Sequence, residues 1–225
     1  MSAELLSCVE VEPSTRAGRT ILWLHGLGAD GRDFEPIVPY LELPEELAVR
    51  FVFPHAPQRA VTINMGMIMR AWYDVRSPQL HADPDLGGVR AAAAHVRALI
   101  ARENERGIAT DRIILAGFSQ GGVVALHAAL RHPEPLAGVM ALSCYLMDEA
   151  SLERERAAAN NAVSIFQAHG SDDPMVPIQR GIEARDRLLG LGYAVEWRTY
   201  PMGHEVHPRE IQDMGAWLRR TFAGE

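Results

Sequence analysis

Two hydrophobic rhythms run through this chain. Short, mostly apolar runs occupy residues 20–24 (Thr-Ile-Leu-Trp-Leu), 49–53, 113–116, 136–143 and 163–168. Runs of this length, rich in β-branched and aromatic residues, predict strands buried on both faces. Residues 5–11 alternate weakly and predict an edge strand, and residues 193–199 predict a last strand. Between the runs the apolar positions recur every three to four residues. Val89, Ala92, Ala93, Val96, Leu99 and Ile100 fall on one face of a helix over 88–106. Asp85 is its expected N-cap and Gly107 its expected stop. Further helices are expected over 123–130, over 151–160, from the turn at Pro177 to Leu189, and from His207 onward with Ile211, Met214, Trp217 and Leu218 inward. Strands alternating with helices predict an α/β fold, a mostly parallel central sheet covered on both faces.

The stretch 54–86 fits neither rhythm. Pro54, Pro57, Pro78 and Pro84 punctuate it, yet it carries Met65, Met67, Ile68, Met69, Trp72 and Tyr73. It is too apolar for a disordered linker, and a long loop in a compact domain is usually functional. No linker, repeat or low-complexity segment divides the 225 residues, so one domain over 1–225 is expected.

Composition narrows the function classes. A net charge of −7 argues against a nucleic-acid partner, which calls for a basic surface. Two cysteines, Cys8 and Cys144, make no disulfide framework and suit a reducing compartment. No basic start followed by an apolar core marks a signal peptide, so a cytoplasmic location is the expectation. The uncharged run at 136–147 is too short for stable membrane insertion.

The chemistry-bearing residues cluster where the predicted strands end. The run at 113–116 passes into Gly117-Phe118-Ser119-Gln120-Gly121, a strand–turn–helix pattern that pushes a serine hydroxyl out of the sheet. Gly26, Gly28 and Gly31 satisfy G-x-G-x-x-G after a strand. Pro36 and Pro39 then interrupt the helix that a dinucleotide site needs, and the next strand ends in Pro54-His55 without a carboxylate. This loop is read instead as backbone able to point an N–H at a substrate oxygen. The strand at 163–168 leads to Asp172 and Asp173, and that at 193–199 to His204 and His207. Ligands of parallel sheets sit at such strand ends, and the order Ser, Asp, His is that of α/β-hydrolases. His204-Glu205-Val206-His207 is not the zinc helix motif, whose second histidine would fall where Pro208 stands. No metal and no cofactor are expected.

Together these segments resemble the acyl-protein thioesterase and carboxylesterase family of α/β-hydrolases, a group without a cap domain. The resemblance rests on Leu24-His25-Gly26-Leu27-Gly28, Arg70-Ala71-Trp72-Tyr73-Asp74, Gly117-Phe118-Ser119-Gln120-Gly121-Gly122, His169-Gly170-x-x-Asp173-x-x-Val176-Pro177 and Tyr200-Pro201-x-Gly203-His204. It implies Ser119 as nucleophile, His204 as base and Asp173, the acid directly before proline, as the imidazole's partner. The backbone N–H groups of Leu27 and Gln120 would form the oxyanion hole. Met65-Gly66-Met67 stands where family members tend to carry Gly-Gly-Tyr, a departure that touches acyl preference and not the chemistry. Leu27, Met65, Met67, Ile68, Met69, Trp72, Met175 and Met202 are expected to line an apolar groove. The expected activity is a serine esterase hydrolysing short-to-medium acyl esters and also acyl thioesters. Lysophospholipid or lipidated-protein deacylation, and a non-catalytic binding protein on the same fold, are the alternatives. Apolar surface near 54–86 could also serve a homodimer.

Overall fold

The computed structural model describes residues 4–79 and 82–224. Its strands are β1 (Cys8–Val11), β2 (Arg19–Leu24), β3 (Val49–Pro54), β4 (Gln58–Val61), β5 (Met67–Arg70), β6 (Ile113–Phe118), β7 (Gly138–Leu142), β8 (Ser164–Gly170) and β9 (Val195–Tyr200). The helices are α1 (Leu86–Glu105), α2 (Gln120–Leu130), α3 (Glu149–Glu155), α4 (Ile178–Gly190) and α5 (Pro208–Ala223). Seven strands form one sheet in the order β1-β3-β2-β6-β7-β8-β9, with β1 antiparallel and every other neighbouring pair parallel.

Both sheet faces are covered, which is why the strands read as continuous apolar runs. Along β2, Leu22 and Leu24 pack toward α1 and α2, among Val96, Leu99 and Leu126. Ile21 and Trp23 point the other way, into a cluster with Met214, Trp217 and Leu218 of α5. Asp85 caps α1, accepting from the Gly88 N–H at 3.0 Å. His207 and Glu210 form a reciprocal capping box on α5, with Pro208 at its first position.

Two expectations need correction. The 54–86 stretch is not loop throughout: β4 and β5 pair as a hairpin, Ala60 opposite Ile68. Its turn places Met65 and Gly66 at φ values of 56° and 76°. The flanking strands are four residues long and largely exposed, so they carry no buried-strand signature. Residues 80 and 81 of this stretch lie outside the described residues. The helix expected over 151–160 is interrupted: α3 ends at Glu155, and a separate 3₁₀ turn spans Ala158–Asn160. The side chain of Asn160, fully buried, donates to the His132 and Glu134 carbonyls and accepts from the Leu136 N–H. Holding those three groups takes Asn160 out of helical register.

Candidate active site

The strand–turn–helix motif forms as β6, Ser119 and α2. Ser119 sits at φ 53°, ψ −119°, outside the usual regions. Such a residue costs about 1–3 kcal/mol and persists only where its surroundings fix it. Here its N–H donates to the Leu142 carbonyl at 2.8 Å and its carbonyl accepts from Val123 N–H at 3.2 Å. The two flanking glycines are dictated by close approach. A Cβ at Gly117 would lie 2.3 Å from the Gly121 backbone, and one at Gly121 2.2 Å from the Leu24 carbonyl oxygen. The turn therefore passes directly over the end of β2, beside the glycine loop.

Three loops bring their side chains together. His204 Nε2 lies 2.9 Å from Ser119 Oγ, and His204 Nδ1 lies 2.7 Å from Asp173 Oδ2. The other oxygen of Asp173 accepts from the Met175 and Val176 N–H groups at 2.8 Å each. Burial pushes the Asp173 carboxyl up, but the His204 bond and these two amides outweigh it and hold it below the ordinary carboxylate value. An ionised carboxylate only accepts, so the proton between the two residues belongs on His204 Nδ1. Nε2 is then the bare acceptor facing the serine hydroxyl. A hydroxyl, a base and a carboxylate in this relation can move a proton off the hydroxyl.

The rival residues stand elsewhere. Asp172 is exposed and accepts from the Ser171 hydroxyl, and His207 caps α5. Cys144 is buried, and burial pushes its thiol far above the usual range. Among the described residues no group of three His, Cys, Asp or Glu side chains is placed to hold a metal ion.

Two buried histidines shape the loops. His25 Nε2 accepts from the Ala56 N–H at 3.1 Å, so its Nδ1 carries the proton and donates to the Gly26 carbonyl at 2.7 Å. Burial lowers its pKa to about 4, keeping that tautomer neutral. This bond, together with the Gly28 N–H bonded to the Arg70 carbonyl at 2.9 Å, pins the glycine loop on either side of Leu27. His169, buried and shifted downward for the same reason, donates from Nε2 to the Val176 carbonyl at 2.8 Å and steadies the Asp173 loop. Gln120 opens α2, so its N–H has no partner within the helix.

A cleft of about 590 Å³ opens over Ser119 and His204. Leu27, Gln120, Met69 and Met175 line it. Other residues expected in the groove do not. Trp72 is buried, and its indole N–H donates to the His25 carbonyl at 2.9 Å. Met202 is buried in the cluster on the α5 side. Met65, Met67 and Ile68 project from the hairpin into solvent, Met65 being 92% exposed. Alternation along β5 turns Ile68 to the face opposite Met69, whereas Met67, on the Met69 face, stands at the exposed tip of the hairpin beside the Met65–Gly66 turn.

Sequence reasoning missed other wall residues. Tyr73 and Tyr145 line the cleft with their hydroxyls 3.3 Å apart. Tyr145 lies just beyond the carboxyl end of β7, where the strand-end rule would have found it. The Gln120 side chain bonds the Trp72 N–H and the Tyr73 carbonyl, both at 2.7 Å, tying the start of α2 to that wall.

A mostly parallel sheet with Ser, Asp and His meeting at its strand ends defines an α/β-hydrolase. Residues 7–222 match the phospholipase/carboxylesterase family, and the chain belongs to it. It is a hydrolase, and no cap domain covers its site among the described residues. It is 35% identical over 212 residues to an acyl-protein thioesterase 1 of Gibberella zeae, covering 90% of each chain. It is 36% identical over 221 residues to an acyl-protein thioesterase 1 of Mycosarcoma maydis, covering 92% of each. The crystal structure of Zea mays acyl-protein thioesterase 2 superposes with a TM-score of 0.85 at 28% identity, covering 96% of this chain and 99% of that one.

Proposed function

We propose that this hydrolase cleaves acyl esters and acyl thioesters through an acyl-enzyme on Ser119. The observation that carries the reading is the unbroken hydrogen-bond line Asp173–His204–Ser119, at 2.7 and 2.9 Å. His204 takes the hydroxyl proton as Ser119 Oγ attacks the acyl carbonyl, then returns it to the leaving oxygen or sulfur. Water repeats the sequence to release the acid. The Leu27 and Gln120 amides hold the developing oxyanion, and the neutral His25 keeps the first of them in position.

The cleft supports a short-to-medium acyl chain as the preferred one. Ile63, Met69, Val75 and Tyr145 make an apolar wall, and the volume of about 590 Å³ is typical of a small-molecule site. Deacylation of lipidated proteins is the second reading. It is favoured by the thioesterase relatives and by the uncapped cleft flanked by Met65 and Ile68. A fluorophosphonate probe tests the mechanism: it labels the wild type once, at Ser119, and not Ser119→Ala. Failure to label the folded wild type would instead favour a binding protein that keeps the fold.

A further inference from the structure

Among the residues that line the cleft one carboxylate stands out, which the hydrolytic reaction does not use. Asp33 lines it, on the segment that follows the glycine loop. Among the described residues it has no ion-pair partner. Its neighbour Arg32 pairs with Glu35 at 3.4 Å, and Arg70 donates to the Ala56 carbonyl. Partial burial, and after it the charge of Asp30, raise the Asp33 carboxyl's pKa.

The position of Asp33 relative to the reacting atoms follows from a chain of aromatic contacts. Phe34, the next residue, packs on Phe118 with ring centroids 5.6 Å apart. Phe118 in turn packs on the His204 imidazole at 4.7 Å. The segment that carries Asp33 is therefore packed against Phe118, the ring on which His204 also rests. The Tyr73–Tyr145 pair belongs to the other wall, tied to α2 through Gln120. In the reaction proposed above the Ser119 Oγ–acyl bond forms and the acyl–oxygen or acyl–sulfur bond breaks. The proton on His204 goes to the departing atom, so the leaving group lies on the His204 side.

The geometry points to Asp33 as a specificity-determining residue that selects substrates whose alcohol or thiol portion carries a positive charge. This inference rests on the serine-hydrolase reading. The carboxylate offers the charge, and Phe118, which also lines the cleft, offers an aromatic face to an ammonium group. Because Asp33 faces solvent on one side, the expected preference is modest, about two- to fivefold.

The test compares kcat/KM for butyrylthiocholine with that for its uncharged isostere, S-3,3-dimethylbutyl thiobutyrate, within each of several variants. Taking the ratio cancels any loss of folded protein. Wild type prefers the cationic ester, Asp33→Asn lowers the ratio to the remainder that the Phe118 ring supplies, and Asp33→Lys lowers it further. Asp33→Glu restores the preference, and added salt weakens it. A ratio that stays constant across the three variants overturns the assignment. Ser119→Ala is measured beside them. Hydrolysis surviving in that variant would remove the serine mechanism itself, which separates failure of that reading from failure of this one.

Discussion

The carboxylate of Asp173 lies 2.7 Å from Nδ1 of His204 and is fixed from behind by two backbone amides. This arrangement sets the tautomer of the imidazole, since Asp173 can only accept. Asp173→Asn would supply a donor to a nitrogen that already carries the proton. The imidazole would then turn its proton toward Ser119 and lose its basicity there. A fall in kcat of about 10⁴-fold with little change in KM is expected, with the fold intact by circular dichroism. Asp172→Asn, one residue away, changes kcat by less than about twofold, because its carboxylate only meets Ser171. Equal losses in the two variants would contradict the assignment.

The nucleophile turn should tolerate no Cβ at its crossing points. Gly121→Ala would drive a methyl to 2.2 Å from the Leu24 carbonyl oxygen, a backbone atom that cannot rotate away. A stability loss of about 1–3 kcal/mol is expected from such overpacking, readable as a lower urea midpoint. Gly190→Ala meets nothing within 4 Å and serves as the comparison.

Stability is expected to peak between two opposing titrations. Glu210 is fully buried, and burial raises its carboxyl to about 8. Between its ordinary value near 4.5 and about 8, the native state holds a proton that the unfolded state has released. Its contribution is thus complete at low pH and is lost as pH rises through that window. His25 and His127 act in the opposite sense. Burial lowers both to about 4, so the unfolded state binds protons that the native state refuses, and stability falls as pH drops from 6.5 toward 4. Glu210→Gln should flatten the decline above pH 6.5 and steepen the rise between pH 4.5 and 6.5, where Glu210 opposes the two histidines. Urea midpoints from pH 4.5 to 9 check this, and an unchanged slope in the variant would refute it.

Acyl preference should follow the residues that line the cleft and ignore those that point away. Val75→Phe fills the wall and should cut the rate on octanoyl esters at least about tenfold more than on acetyl esters. Met65→Ser, on the solvent side of the hairpin, should leave both rates on soluble esters unaltered. The ratio of octanoyl to acetyl kcat/KM in each variant decides it.

The sheet was legible because parallel strands buried on both faces leave continuous apolar runs, as at 20–24 and 113–116. Strand ends pointed to Ser119, to Asp172 or Asp173, and to His204 or His207, and the family resemblance chose Asp173 and His204 among them. The groove was legible only in part. Nothing in the run Met67-Ile68-Met69 says that Met69 alone reaches the cleft until β5 pairs with β4, turns Ile68 to the other face and leaves Met67 at the exposed hairpin tip. Trp72 looked like a groove residue by its company, yet its indole is committed to the His25 carbonyl, a partner 47 positions away. Long-range hydrogen bonds of this kind leave no local pattern. Asp33 passed unnoticed for a similar reason: its place in the cleft comes from the packing of Phe34 on Phe118.

The most direct test of the central claim is hydrolysis of p-nitrophenyl esters from acetyl to palmitoyl, wild type beside Ser119→Ala. The wild type is expected to turn these esters over with a short-to-medium optimum, and the variant to lose activity at every chain length. Equal rates in the two proteins, or none in either, would contradict it.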